Sequence, residues 1–202
     1  MREPFIRRQN RPIIFSAPMV QALLAGRKSQ TRRILKPPYG TLEYSGGMWT
    51  PICTKFFPGD RLYVREAWRA APAYDDLAPS AMGGEEPIRY EADGVWEAWG
   101  WTMPNGPGGR LRPSIHMPRW ASRLTLAVTD VRVQRLQDIS EADARAEGVS
   151  DEWADTELYF QTNPYRYGFS ALWNSIHGPD AWGANPWVVA VSFDVIRGNI
   201  DA

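Results

Sequence analysis

The alternation of apolar and polar positions predicts that β-strands dominate this chain. Residues 122–136 (SRLTLAVTDVRVQRL) carry the clearest signal, because Leu124, Leu126, Val128 and Asp130 alternate with Thr125, Ala127, Thr129 and Val131. Shorter runs that are rich in β-branched and aromatic residues predict further strands at 11–16, 58–68, 86–93 and 185–196.

Two short helices are predicted from their start and stop signals. In residues 16–26, Pro18 suits the first helical turn and Gly26 suits the end. In residues 138–149, Ser140 is an N-cap with Asp143 three positions later, and Gly148 marks the end.

A third helix is predicted at 165–176, where the pattern is amphipathic, and we expect Gly168 to interrupt it. Residues 38–58 and 70–118 show little regular pattern. We expect the second of these stretches to be an insertion or an elaborated hairpin without its own core. The chain is therefore predicted to form one domain over 1–202, of the α+β class but mainly β. The expected architecture is a partly open β-barrel with short flanking helices.

The charge of the chain is balanced in total but not along its length. Its 23 Lys and Arg residues equal its 23 Asp and Glu residues, whereas residues 1–36 are strongly basic and 141–157 carry an acidic excess. Arginine predominates among the cations, and its planar fork suits phosphate groups and base stacking. At any single position, however, an arginine that is simply exposed to solvent on the surface is as good an explanation as one that binds a ligand.

Several classes of protein are disfavoured by the remaining composition. Cys53 is the single cysteine, which excludes an internal disulfide and indicates a reducing compartment. His116 and His177 have no metal-ligand spacing and are expected to be structural, so no metal or cofactor is predicted. Residues 1–12 lack the apolar core of a signal peptide, and no apolar run reaches the roughly 20 residues that span a bilayer. We expect a cytoplasmic protein without membrane contact.

The segment GRKSQTRR (26–33) resembles the G-x-K-x-x-[TE]-x-R signature of the ASCH domain, a branch of the PUA-like β-barrel superfamily. As in that family, it directly follows the predicted first helix. The segments at 58–68, 123–149 and 186–196 resemble the family's later strands and its acidic short helix. RPSIHMPRWASR (112–123) is similar to a segment of ASCH-type proteins from phages and prophages.

The resemblance implies a cleft for a nucleobase or nucleotide. Some small ASCH proteins, about half this length, are amidohydrolases that remove the acetyl group of N4-acetylcytidine. Their catalytic lysine, threonine and glutamate correspond here to Lys28, Thr31 and Glu147. The central insertion would reshape or cover such a cleft. Another relative has been described as a ribonuclease, and many have no assigned activity.

This carried-over set makes chemical sense only with a particular geometry. A turn at 28–30 is needed to bring Lys28 and Thr31 to one pocket, and Thr31 and Arg33 would then share a strand face. Threonine needs a base to become a nucleophile, and a free lysine, with a pKa of about 10.4, is a poor one. Burial or neighbouring cations would lower that pKa. Glu147 would either hold Lys28 or donate a proton to the leaving amine.

The same residues also suit binding without catalysis, since Lys, Thr and Arg commonly grip phosphates and base edges. Trp68 and Trp120, which have arginine neighbours, suit base stacking, although a core or cleft-wall position is the simpler expectation for each. Glu66 is a second inward-facing carboxylate, for which pairing with a buried arginine is the simpler expectation. The residues predicted to bind substrate or nucleic acid are Arg27, Arg32, Arg33, Glu66, Trp68, Arg119, Trp120 and Arg123.

The sequence thus predicts a protein that binds a nucleobase, nucleoside or single-stranded RNA. If it is an enzyme, it is a metal-independent amidohydrolase with Lys28, Thr31 and Glu147 at its centre. The alternatives are a non-catalytic RNA or modified-base reader, a ribonuclease, and a phage structural or host-interaction factor.

Overall fold

The structure, a computed structural model, describes residues 9–36, 42–45, 48–51, 55–98, 104, 106–151 and 163–202. Within this part of the chain, the strands are β1 (Asn10–Ile14), β2 (Gln30–Ile34), β3 (Leu42–Ser45), β4 (Met48–Pro51), β5 (Arg61–Arg65), β6 (Trp68–Ala70), β7 (Ile88–Tyr90), β8 (Trp96–Glu97), β9 (Leu124–Arg135) and β10 (Trp187–Arg197). The helices are α1 (Ala17–Leu24), α2 (Glu141–Ala146) and α3 (Pro164–His177). The predicted strands and helices are therefore confirmed in kind, and so is the mainly-β α+β class.

Contacts between residues divide the chain into two compact units. The first unit is drawn from Ala25–Gly59 and Val128–Asp194, and the second from Arg8–Leu24, Asp60–Ala127 and Val195–Ala202. Strands β9 and β10 contribute residues to both. The prediction of a single domain stays a prediction.

In the first unit, β2 pairs antiparallel with β10, which in turn neighbours β9. The register sets Thr31 opposite Val191 and Arg32 opposite Ala190. Helices α2 and α3 pack on a buried apolar cluster formed by Leu136, Ile139, Ala144, Val149, Phe169, Trp173 and Val188.

Helix α3 continues through Gly168, which corrects the expected interruption. A glycine inside a helix costs about 1 kcal/mol relative to alanine. Burial of Phe169 and Trp173 from the same helix offsets that cost, since each large apolar side chain contributes about 1.5–3 kcal/mol when buried.

In the second unit, β1 runs parallel to β5, and β5 runs antiparallel to β9. A separate antiparallel sheet has the order β6-β7-β8. The described strands do not close into a barrel in either unit, so the expected barrel is replaced by open sheets.

The stretch 70–118 was expected to lack a core, but most members of one buried apolar cluster come from it. The cluster consists of Trp68, Ala70, Met82, Ile88, Tyr90, Met117 and Ala121. Its members come from short strands and single turns, so they show no helical or strand period along the sequence. Periodicity therefore missed a core that only the tertiary fold assembles.

The stretch 38–58, predicted to be irregular, contains the antiparallel pair β3 and β4 in its described part. Cys53 lies outside the described residues. Among the helices that the structure describes, none has both the length and the apolar character required to cross a membrane.

Candidate functional site

Two rows of polar side chains meet in the first unit. Lys28, Gln30 and Arg32 occupy alternate positions leading into and along β2, so they share one face of the strand. Asp143 and Glu147 are four positions apart, so they share one face of α2 and its C-terminal turn. Each residue of the first row is hydrogen-bonded to a carboxylate of the second. We call these five residues the β2–α2 network.

Lys28 and Glu147 form the buried centre of the network. Lys28 Nζ donates to Glu147 Oε2 and to the backbone oxygen of Glu147, both at 2.8 Å. The two side chains are only 0% and 4% exposed. Sequence reasoning placed these residues in one site although 119 positions separate them, and the structure brings them into direct contact.

Arg32 engages the carboxylate oxygen that Lys28 does not use. Its Nη1 donates to Glu147 Oε1 at 3.0 Å and to Gln30 Oε1 at 2.6 Å, and its Nη2 donates to Asp143 Oδ2 at 3.2 Å. The guanidinium also lies 5.8 Å from the ring centroid of Phe169. Its side chain is 0% exposed, so the expectation that Arg32 contacts nucleic acid does not fit this arrangement. Its place is inside the fold, where it shares Glu147 with Lys28.

Asp143 is the second anchor of the network. Its Oδ1 accepts from Gln30 at 3.1 Å and from Arg132 at 3.1 Å. Burial acts to raise the pKa of Asp143, but hydrogen bonds from Arg132 and Gln30 and the charge of Arg32 outweigh it, so the pKa is lowered. Gln30 Nε2 also donates to Ser192 Oγ at 3.0 Å, which ties the network to β10.

The pKa of Lys28 is lowered, chiefly because burial penalises its charged form. The contact with Glu147 opposes this shift, and the nearby charges of Arg33 and Arg32 reinforce it. A lysine with a lowered pKa loses its proton more readily than a free one, which is the property required of a general base.

The turn expected at 28–30 is not formed, because Gln30 already belongs to β2, and Thr31 does not share the face of Lys28. Residues 27–29 are irregular, and Ser29 N donates to the backbone oxygen of Ala146 at 2.9 Å. Thr31 lies between Gln30 and Arg32 on β2, so strand alternation directs it and Arg33 to the opposite face. Thr31 is 3% exposed, and burial lowers the pKa of Arg33. Thr31 and Arg33 therefore share a face of β2, as predicted. Thr31 does not belong to the β2–α2 network.

The caps of α2 place Glu147. Ser140 is the N-cap, and its Oγ accepts from the backbone N–H of Asp143 at 3.1 Å. Glu147 is the C-cap, and Gly148 follows with a φ of 93°, a conformation that favours glycine. The predicted start and end of this helix are confirmed.

Replacing Ser140 by alanine is expected to lower the free energy of unfolding by about 1 kcal/mol, because an N-cap hydrogen bond is lost. Ser140 is exposed, so little packing changes with it. Chemical denaturation would measure the effect, with Ser140→Thr as the matched control that keeps the hydroxyl. Equal stability of the alanine and threonine variants would show that the cap does not hold α2.

A surface pocket of about 510 Å³ adjoins the network in the first unit. Its lining includes Arg27, Arg145, Ala146 and Asp151. Arg27 is exposed and makes a long hydrogen bond of 3.5 Å to the backbone oxygen of Gly148. The side chains of Arg145 and Asp151 are 66% and 72% exposed and lie 3.9 Å apart. We call this the Arg27 pocket; its lining includes two accessible guanidinium groups and one carboxylate, Asp151, which also accepts from the Tyr165 hydroxyl at 2.6 Å.

The other predicted binding residues belong to the second unit. Arg123 pairs with Glu66 through two hydrogen bonds of 2.9 Å, which confirms the expected pairing of Glu66 with a buried arginine. Arg119 pairs with Asp201. Both arginines are therefore paired with carboxylates of the same unit.

The two tryptophans of the second unit differ in accessibility. Trp68 is 0% exposed within the apolar cluster, so its ring faces are not open to a base. Trp120 packs against the same cluster but is only partly buried. Of the two, Trp120 alone is placed to meet a ligand.

The structure also shows site residues that sequence reasoning missed. Gln30 and Asp143 were not predicted as site residues, and Arg32 was assigned to ligand binding. The sequence does show polar residues at period two before and within β2, and carboxylates spaced i, i+4 on α2, but no local pattern shows that the two rows meet. In the part of the chain that the structure describes, no group of three His, Cys, Asp or Glu side chains is arranged to hold a metal ion.

Comparison with known proteins adds little to this description. No protein-family profile matches the chain, and no curated protein matches it. Among solved structures, the chain is similar to the crystal structure of a protein from Enterococcus faecalis V583 assigned to the family DUF984. That match has a TM-score of 0.42 and 12% sequence identity, and it covers 96% of this chain and 84% of the other. At this level the likeness supports no conclusion about function.

Proposed function

We propose that the first unit binds a nucleobase-containing, phosphate-bearing ligand, a nucleotide or single-stranded RNA, at the Arg27 pocket. The observation that carries this proposal is the pair of accessible guanidinium groups, Arg27 and Arg145, on a pocket of about 510 Å³. Arginine contacts phosphate oxygens in most nucleic-acid interfaces. The resemblance of residues 26–33 to the ASCH signature supports a nucleobase as the other part of the ligand.

The local charge agrees with an anionic ligand. Lys28, Arg32 and Arg33 follow the lining residue Arg27 closely along the chain, and Glu147 is shared by Lys28 and Arg32. Asp151 is the carboxylate on the described lining, and its partner Arg145 is 3.9 Å away. Such an exposed pair contributes little to stability, so Arg145 remains accessible to a phosphate.

Binding is tested with a fluorescent single-stranded RNA and fluorescence anisotropy at several salt concentrations. The double variant Arg27→Ala, Arg145→Ala is expected to bind at least tenfold more weakly. The slope of log affinity against log salt should shrink by about 1.4, because each lost phosphate contact removes about 0.7 for single strands.

Arg110→Ala is the matched control, because Arg110 is an exposed arginine of the second unit. Its affinity should remain that of the unaltered protein. RNA affinity that is unchanged in the double variant would contradict the proposal, and so would equal losses in the double variant and the control.

The second candidate is hydrolysis of an acylated exocyclic amine, as in N4-acetylcytidine. The observation that favours it is the buried contact of 2.8 Å between Lys28 and Glu147, together with the lowered pKa of Lys28. Neutral Lys28 would take a proton from an attacking water and return it to the leaving amine as the C–N bond breaks and acetate is released, whereas Thr31 lies on the opposite face of β2. Glu147, held by Arg32 on its other oxygen, would orient Lys28 rather than supply the proton.

Incubation with N4-acetylcytidine, followed by chromatography, separates the two candidates. Release of cytidine that disappears in Lys28→Met would establish hydrolysis. Nucleotide or RNA binding without cytidine release would establish a reader. Thr31→Val should keep its activity, because Thr31 lies on the face of β2 opposite Lys28; loss of activity in this variant would instead identify Thr31 as the nucleophile.

A further inference from the structure

The second unit contains a pocket of about 570 Å³ that the proposed function does not use. Its lining includes Glu97, Trp120, Arg123, Asn199 and Asp201. The volume falls within the range of about 300–1,000 Å³ that is usual for sites of small molecules. We call it the Trp120 pocket.

The frame of this pocket is fixed by hydrogen bonds. Asn199 Nδ2 donates to the backbone oxygens of Arg119, Trp120 and Ser122 at 2.9, 3.0 and 2.9 Å. Gly198 N donates to the backbone oxygen of Arg123 at 2.8 Å. The segment that carries Trp120 is thereby pinned to the segment that carries Asn199, so the pocket is preorganised.

Carboxylates outnumber cations among the groups on this lining and those hydrogen-bonded to them. Arg123 is bound by both Glu66 and Asp93, and it stacks 3.8 Å from the ring centroid of Tyr90. Arg119 is bound by Asp201. With Glu97 added, four carboxylates face two guanidinium groups, so a phosphate-bearing ligand would be repelled.

Glu97 differs from the other three carboxylates because its hydrogen-bond donor is a neutral group. Its Oε2 accepts from the hydroxyl of Tyr90 at 2.5 Å, and Tyr90 OH lies 3.1 Å from the backbone oxygen of Ala121. Burial, together with the contact to Glu97, raises the pKa of Tyr90 far above its usual range, so Tyr90 stays a neutral donor. The negative charge of Glu97 therefore has a neutral hydrogen-bond donor, whereas the negative charge of Glu66 is paired with the positive charge of Arg123.

We propose that the Trp120 pocket binds a guanidinium group, with Glu97 as its anion and Trp120 as its stacking surface. A planar guanidinium forms paired hydrogen bonds with a carboxylate and stacks on aromatic faces, with tryptophan the best of them. The group can belong to a free guanidino compound or to an arginine side chain of a peptide. Both present the same chemistry to the pocket.

The test follows the indole N–H signal of Trp120 in ¹H–¹⁵N NMR spectra, assigned with Trp120→Phe. Arginine should shift this signal saturably, whereas citrulline, its neutral analogue, should bind at least tenfold more weakly. Comparing free arginine with Gly-Arg-Gly distinguishes the two sources, because the source that fits the pocket better will bind more tightly.

Glu97→Gln keeps an acceptor for Tyr90 but removes the charge, and it should weaken arginine binding at least tenfold. Asp130→Asn, which removes the charge of an exposed carboxylate in the first unit, is the control and should leave binding unchanged. Equal binding of arginine and citrulline, unchanged binding in Glu97→Gln, a comparable shift with cytidine, or no saturable shift would each overturn the proposal. If Glu97→Gln unfolds at the same midpoint temperature as the unaltered protein, its loss of binding is not caused by a loss of folding.

Discussion

Replacing Glu147 by glutamine is expected to lower the free energy of unfolding by about 3–5 kcal/mol, as is typical when a buried ion pair loses one partner. Glu147 is the carboxylate that Lys28 and Arg32 share, at 2.8 and 3.0 Å. Both cationic side chains are 0% exposed, so water does not replace the missing charge. Urea denaturation followed by circular dichroism would measure the loss.

Two further variants make this prediction specific. Lys28→Met should cost less than Glu147→Gln, because Glu147 keeps Arg32 as a partner, whereas the glutamine leaves Lys28 without its carboxylate and Arg32 with Asp143 alone. Asp130→Asn is the control, since Asp130 pairs with Arg132 at a surface where its side chain is 54% exposed, and little change is expected. A larger loss for Lys28→Met than for Glu147→Gln would show that the network is not centred on Glu147.

Replacing Arg123 by methionine is expected to cost a similar 3–5 kcal/mol at neutral pH, because it leaves a buried carboxylate without its cation. Glu66 has a side chain only 2% exposed and accepts two hydrogen bonds from Arg123. Arg119→Met is the matched control, since Arg119 pairs with the largely exposed Asp201, and it should change stability little.

The loss in Arg123→Met should depend on pH in a defined direction. Burial already raises the pKa of Glu66, and Arg123 opposes that rise, so its removal should raise the pKa further. A carboxyl group with a raised folded-state pKa holds its proton longer in the folded state, so stability falls as pH rises through the window between the unfolded and folded values.

The variant should therefore regain stability as the pH is lowered through that window towards 4.5, the ordinary pKa of the group. Denaturation at several pH values would measure this recovery. Adding Glu66→Gln should remove most of the pH dependence. A pH dependence that persists in the double variant would show that Glu66 is not its source.

Local signals in the sequence predicted much of the secondary structure. Ser140 and Gly148 marked the limits of α2, and the alternation around Leu124 marked β9, because caps and strand periodicity act over a few residues. The contact between Lys28 and Glu147 came from a resemblance to a known family, since no local pattern joins residues 119 positions apart.

Other features depended on contacts that local patterns do not encode. The cluster around Trp68 and Tyr90 gathers single residues from turns and short strands, so its apolar pattern has no period. Gly168 was predicted to interrupt α3 because glycine has a poor helix propensity. The helix nevertheless continues through Gly168, because the neighbouring residues pack in the apolar cluster. Here tertiary burial outweighed a local preference of about 1 kcal/mol.

By itself, the sequence determined where the longer strands and the helices form, how α2 is capped, and that Lys28, Arg32 and Arg33 lie close together at β2. Only the tertiary structure decided what those cations meet. It turned Arg32 inward to share Glu147, left Arg27 exposed at a pocket, and set Thr31 on the opposite face of β2. The reason is that a buried charge is tolerated only beside an opposite charge, and that partner is supplied by a distant part of the chain.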